Sequence, residues 1–160
     1  CNLKWDYINF ENKILTIPRK EMKVKNPNLN DFSLPLSDEV LKILINQKEK
    51  IEELEINSKY IFIGIDLVKP LHKDSPTKAL INLGFTRDKK QSLHSMRGSF
   101  KTILEEKEDE HNISDKIIKS ILDHTLDNKV GLAYSNKANY LNRQKPLLDF
   151  WSNFILDLRN

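Results

Sequence analysis

The side chains best suited to chemistry in this sequence are histidines, an arginine and a tyrosine, and their order says more than their number. His94 stands three residues before Arg97 in Leu93-His94-Ser95-Met96-Arg97-Gly98. On a helix that spacing puts both side chains on one face. A guanidinium offers fixed donors that match phosphate oxygens, and a neighbouring imidazole adds one adjustable donor or acceptor. His124 closes the run Ile121-Leu122-Asp123-His124, and Tyr134 follows ten residues later in Gly131-Leu132-Ala133-Tyr134. A tyrosine whose ionisation is assisted can attack phosphorus and form an ester. Alone, each has a plainer reading: His-x-x-Arg is a short pattern, and a tyrosine in an amphipathic helix commonly packs in a core or at its rim.

Charge is distributed in blocks. Arg19, Lys20, Lys23 and Lys25 crowd one stretch, interrupted by the acid Glu21, and Arg87, Lys89, Lys90, Arg97 and Lys101 crowd another, interrupted by Asp88. Glu105, Glu106, Glu108, Asp109 and Glu110 gather the acids. The formal net charge of +3 is mild. It permits a polyanionic partner, and blocks of this kind fold either into one positive face or into a mixed solvated surface.

The 160 residues fit one domain of ordinary size, and 39% apolar with 31% charged residues is a globular composition. A chain this long buries roughly 70% of its unfolded surface and needs no disulfide or metal to fold. Its one cysteine, Cys1, excludes an intramolecular disulfide framework and a cysteine-rich zinc site. Apolar runs such as Tyr60–Ile63 fall far short of the roughly 20 residues of a membrane span.

The elements that must position these groups read as a small sheet followed by helices. Ile8 and Phe10 alternate with polar neighbours, Glu11-Asn12-Lys13 supplies a turn with Asn12 suited to positive φ, and Ile14–Ile17 follows as a β-branched strand closed by Pro18. Phe32–Leu36 is a third strand, at an edge because of Pro35. Arg19–Asp31 connects the second and third strands. Ser37 caps a helix with Asp38 and Glu39 in its first turn and an apolar stripe of Val40, Leu41, Leu44, Ile45, Ile51 and Leu54. Ser75-Pro76 opens a second helix that Gly84 ends. Further helices are predicted over 93–107, after Ser114, and over 130–143. Pro146 is expected to open the last, with Leu147, Leu148, Trp151, Phe154, Ile155 and Leu158 on one face.

Taken in order, His94-x-x-Arg97, Leu122-Asp123-His124 and Ala133-Tyr134 resemble the catalytic end of the tyrosine recombinases, the phage-integrase family. The separations agree: 27 residues from Arg97 to His124, then ten to Tyr134. Leu3-Lys4-Trp5-Asp6-Tyr7-Ile8-Asn9-Phe10 resembles the family's opening pattern, Arg19-Lys20-Glu21-Met22-Lys23 its lysine-bearing hairpin, and Leu34-Pro35-Leu36-Ser37 the return strand. The tail from Asn139 to Phe154, with Arg143 and Trp151, is similar to the prophage and genomic-island integrase branch. Two departures stand out. Asp123 occupies a position where the family more often has Gly or Ala, and either perturbs how His124 is presented or adds a carboxylate that orients it. The hairpin is longer than usual, so Lys25 is an alternative to Lys23.

The resemblance implies an α+β, mainly α fold: a helical catalytic domain with a three-stranded antiparallel sheet, covering residues 1–160. It implies that the DNA-binding domain and a first active-site arginine lie upstream of Cys1, so that the fragment alone is inactive. It implies a cleavage in which Tyr134 attacks, Arg97 binds phosphate oxygens, His94 and His124 donate to phosphate oxygens or relay a proton, and Lys23 protonates the leaving oxygen, with no cofactor and cationic side chains in place of metal ions. Arg19, Lys20, Lys25, Arg87, Lys89 and Lys90 are then expected to meet DNA phosphates. Expected partners are double-stranded DNA, other protomers in a synaptic tetramer and a directionality factor, with no membrane, in the bacterial cytoplasm. Two other readings stay open: a degenerate DNA-binding module that does not cut, and a metal-independent phosphodiesterase using His94 and His124 as an acid–base pair.

Overall fold

Short β-branched runs punctuated by polar turns pair into a sheet at the start of the chain. The computed structural model describes residues 1–23, 25–85, 92–123 and 140–158. Ile8–Asn9 (β1), Ile14–Ile17 (β2) and Phe32–Pro35 (β3) form one antiparallel sheet in the order β1-β2-β3. Ile8 pairs with Leu15, Ile14 with Pro35 and Ile17 with Phe32. Pro35 cannot donate to a ladder, and it lies on an edge strand, where it can be accommodated.

The β1–β2 turn departs from expectation by one residue. Lys13, not Asn12, takes the left-handed conformation, with φ 55°. The Asn12 N–H donates to Asn9 Oδ1 at 2.7 Å, and the Lys13 carbonyl accepts the Leu36 N–H at 2.8 Å. These contacts outweigh the intrinsic preference of asparagine for positive φ.

The remainder is helical: Asp38–Glu53 (α1), Ser75–Asn82 (α2), Leu93–Glu106 (α3), Glu108–His111 (α4), Asp115–Ile121 (α5) and Leu141–Asp157 (α6). The fold is mainly α with a small antiparallel sheet, as the sequence predicts. No helix among the described residues is long and apolar enough to cross a membrane.

Helix details sharpen the expectations. In α1 the buried line is Leu41, Leu44 and Ile51, while Val40 and Ile45 are exposed and Leu54 lies beyond the helix. Ile45 falls to one side of the face that residues at i, i+3 and i+10 share, whereas Val40 borders that face and is exposed in the first turn of the helix. In α2, Asp74 occupies the cap position and Pro76 is the second helical residue, one position later than expected; Gly84 follows the helix at φ 92°. The last helix begins at Leu141, five residues before Pro146, so the proline sits inside it. Its start is carried by the Tyr140 carbonyl, which accepts the N–H of Arg143 at 2.9 Å and of Gln144 at 2.8 Å. Gln144 in turn donates Nε2 to Ser120 Oγ at 2.9 Å, so packing against α5 sustains helix upstream of the proline.

The described residues form two compact units. The first comprises Cys1–Trp5 and Leu44–Glu106. In it the N-terminal segment pairs with residues 59–61 through Trp5 N–H to the Lys59 carbonyl and Ile61 N–H to the Leu3 carbonyl, each at 3.0 Å. Ile61, Phe100 and Leu104 are buried there. The second comprises Asp6–Ile43 and Lys107–Asn160. In it α6 packs on β3 and on α5, around Leu36, Ile117, Ile118, Ile121 and Leu147.

Candidate functional site

The start of α3 is set by a reciprocal pair of serines. The Ser95 N–H donates to Ser92 Oγ at 3.1 Å, and the Ser92 N–H donates to Ser95 Oγ at 2.9 Å. This is a capping box with serine in place of the usual Glu or Gln at the third position. It satisfies one first-turn amide and holds the helix entry. His94 and Arg97 therefore fall within the first two turns, on one side of the helix, and both are exposed. Helix N-termini favour anions through their outward N–H groups and dipole, so an imidazole and a guanidinium there suit a phosphate. The sequence carries this spacing as Ser-x-x-Ser, Ser92 to Ser95, without the acidic partner that marks the usual motif.

The β2–β3 connection carries the lysines. It leaves β2 through Pro18 into a short 3-10 turn, Arg19–Glu21, closed by Glu21 N–H to the Pro18 carbonyl at 2.8 Å and Met22 N–H to the Arg19 carbonyl at 3.1 Å. The buried Tyr7 donates its hydroxyl to the Glu21 carboxylate, which anchors that turn to the body of the unit. Lys20, Lys23 and Lys25 are all exposed on this connection. An ammonium on a long side chain at an exposed loop is chemically suited to meet a phosphodiester.

Arg19 behaves differently from the lysines around it. Its Nη1 and Nη2 donate to Asp123 Oδ2 and Oδ1 at 2.9 and 3.0 Å, and its Nε donates to the Asn30 carbonyl at 2.9 Å. Its backbone N–H donates to Asp31 Oδ1 at 2.8 Å. The side chains of Arg19 and Asp123 are 11% and 24% exposed. Expected to face DNA phosphate, the guanidinium instead grips a carboxylate within its own unit in a two-pronged pair. Asp123 follows the end of α5 in the left-handed region at φ 51°, where a helix commonly ends on Gly or Asn.

His94 and Arg97 lie in the first unit; Arg19, Lys20, Lys23, Lys25 and Asp123 lie in the second. His124, Tyr134, Arg87, Lys89 and Lys90 lie outside the described residues. Among the described residues no group of three or more His, Cys, Asp or Glu could hold a metal ion.

Comparison with known proteins decides the family. The sequences described as the phage integrase family match this chain over residues 1–140. The chain belongs to the phage integrase family. The integrase of Shigella phage Sf6 is 25% identical over 155 residues, covering 96% of this chain and 37% of its own length. Prophage integrase IntS of Escherichia coli (strain K12) is likewise 25% identical over 155 residues, with the same coverage. The integrase of Enterobacteria phage P4 is 23% identical over 166 residues, covering 98% of this chain and 36% of its own length. The chain thus spans about a third of the length of the curated relatives it matches. No solved structure matches it at the same stringency. Within this phage integrase family member, the match takes in the His94, Arg97, His124 and Tyr134 positions and the lysine-bearing connection.

Proposed function

We propose that this chain is the catalytic domain, residues 1–160, of a tyrosine-type site-specific DNA recombinase that integrates or excises a mobile element. The observation that carries the reading is the phage integrase match over residues 1–140, which encloses the ordered set His94, Arg97, His124 and Tyr134. The exposed His94–Arg97 pair at the capped start of α3 supports it, because that is a chemically apt place for a phosphate.

Cleavage runs as an exchange of esters. The Tyr134 hydroxyl gives up its proton through the histidines, His94 or His124, as its oxygen attacks phosphorus; the bond from phosphorus to the 5′-oxygen breaks, and a 3′-phosphotyrosine forms. Lys23 gives a proton to the departing 5′-oxygen, leaving a free 5′-hydroxyl. Arg97 holds non-bridging oxygens as negative charge grows on them, and His94 and His124 donate to the same group. Rejoining is the reverse attack by a 5′-hydroxyl, so the ester energy is kept and no nucleotide triphosphate is consumed. Double-stranded DNA is the substrate, further protomers complete a synaptic tetramer, and a directionality factor biases the outcome. Lys20 and Lys25, with Arg87, Lys89 and Lys90, meet the phosphate backbone, so affinity falls steeply with salt.

A duplex nicked near the cleavage point lets the 5′ product diffuse away and traps the adduct. In the full-length protein, peptide mapping is expected to locate the adduct at Tyr134, and Tyr134→Phe to bind DNA without forming it. An adduct at Tyr140 would reassign the nucleophile. Cleavage without any adduct would favour the phosphodiesterase reading, and binding without cleavage the non-catalytic one.

A further inference from the structure

We propose that Arg19 and Asp123 are positioning residues for strand cleavage, which together tie the lysine-bearing β2–β3 connection to the end of α5. The inference rests on the recombinase reading above. Its observation is a single guanidinium with every nitrogen committed inside the protein: Nη1 and Nη2 on Asp123 at 2.9 and 3.0 Å, and Nε on the Asn30 carbonyl at 2.9 Å. With the Arg19 N–H on Asp31 at 2.8 Å, one residue closes the base of the loop where it leaves β2 and where it returns toward β3. The same residue reaches 104 positions along the chain to Asp123.

Lys23 lies four residues beyond one end of this bridge, and His124 is the residue after the other. A fork meeting a carboxylate fixes direction as well as distance, which a lysine at position 19 would not. The pair is also self-consistent in what it gives up. Asp123 holds a left-handed backbone that glycine would adopt without strain, and Arg19 is a cation largely withdrawn from solvent beside exposed lysines. A phosphate could take Arg19 only by stripping Asp123 of its partner. Each residue is costly at its place without the other; the loop they hold carries Lys23, and Asp123 directly precedes His124 in the sequence.

The test uses the full-length protein and four variants: Asp123→Asn, Asp123→Gly, Arg19→Gln and the double Arg19→Gln/Asp123→Asn. Asparagine tolerates the left-handed region and glycine is unstrained there, so the backbone survives both changes at 123. Thermal melting checks this, and if one of them loses its fold the other carries the comparison. Two quantities are read: affinity for a duplex carrying the element's junction sequence, and the single-turnover rate of adduct formation on its nicked form at saturating protein. The expected result is a fall in that rate on the order of 10-fold or more in every variant, since a displacement near 1 Å is enough for such losses. Affinity stays at the wild-type value, and the double variant is no slower than the singles because they break one interaction. Asp123→Asn reacting at the wild-type rate overturns the inference. Arg19→Gln that weakens binding and flattens its salt dependence, with Asp123→Asn unaffected, also overturns it and assigns Arg19 to phosphate. A wild-type protein that forms no adduct brings down the recombinase reading and this inference together.

Discussion

Ser152 on α6 donates its hydroxyl to the Ser37 hydroxyl at 2.7 Å across 115 residues of sequence. Ser37 is 3% exposed, and the same oxygen accepts the Val40 N–H at 3.4 Å in the first turn of α1. One buried oxygen therefore caps one helix and holds another. Removing it uncaps α1 and strands the Ser152 hydroxyl. Ser37→Ala is expected to lower unfolding stability by about 1–2 kcal/mol, the usual range for losing a cap together with a partly buried hydrogen bond. Ser152→Ala should cost less, since the cap remains. Urea unfolding of both singles and the double checks the coupling: the double should cost less than the sum of the singles. Strict additivity would show that the two hydroxyls do not communicate.

The start of α3 offers a second check, because it sets where His94 and Arg97 begin. Ser92→Ala removes the hydroxyl that accepts the Ser95 N–H and is expected to cost about 1 kcal/mol. Hydrogen exchange at the Ser95 amide should quicken. Ser92→Asp keeps an acceptor in the same place and should leave both stability and exchange near wild type.

Much of the fold was legible because it is written locally. The β2 strand is β-branched and closed by proline, and Pro35 announces an edge. His94 and Arg97 are brought to one turn by their spacing alone. Arg19 was not legible in the same way. A basic residue among lysines reads as part of a solvated or DNA-facing block, and nothing near it in sequence reveals a carboxylate 104 residues away. Asp123 was legible as an oddity, but which group it would meet was a tertiary fact. Pro146 misled for a related reason. Proline is at home at a helix start, yet here Gln144 is anchored to Ser120 and Leu147 is fully buried, and that packing carries the helix through the proline. The pairing of His94 and Arg97 thus came from local periodicity, whereas the anchoring of the lysine loop depended on long-range contacts.

Acid should weaken one corner of the second unit. The hydrogen bond from Lys13, then its charge, holds the Asp38 carboxyl below the ordinary carboxylate range. The bond is 3.0 Å, and both side chains are exposed. A carboxyl with a lowered pKa in the folded state contributes stability above its unfolded value and loses it as pH falls through the folded one. The contribution is therefore present at neutral pH and lost only in strong acid, and salt screens it. Titration of Asp38 followed by NMR should show a midpoint below that of an unstructured aspartate. Lys13→Ala should move the midpoint up; an unmoved midpoint would show that Lys13 is not the cause.

The role proposed for Lys23 can be separated from simple charge by changing the leaving group. If Lys23 protonates the departing 5′-oxygen, its loss should slow cleavage by about 10²–10⁴-fold, the usual contribution of a general acid. A substrate with sulfur in place of that bridging oxygen departs as a thiolate, which is far less basic and needs no proton. Lys23→Ala should therefore cleave the sulfur substrate at close to the wild-type rate while remaining slow on the natural one. A lysine that only attracts the phosphate would slow both substrates alike. Lys25, exposed two residues further along the same connection, is the internal control. Lys25→Ala should weaken binding and its salt dependence, with no selective rescue by sulfur, because a phosphate contact acts on both leaving groups equally. If rescue follows Lys25→Ala instead, the proton comes from Lys25, and the longer hairpin has moved the acid two residues along the chain.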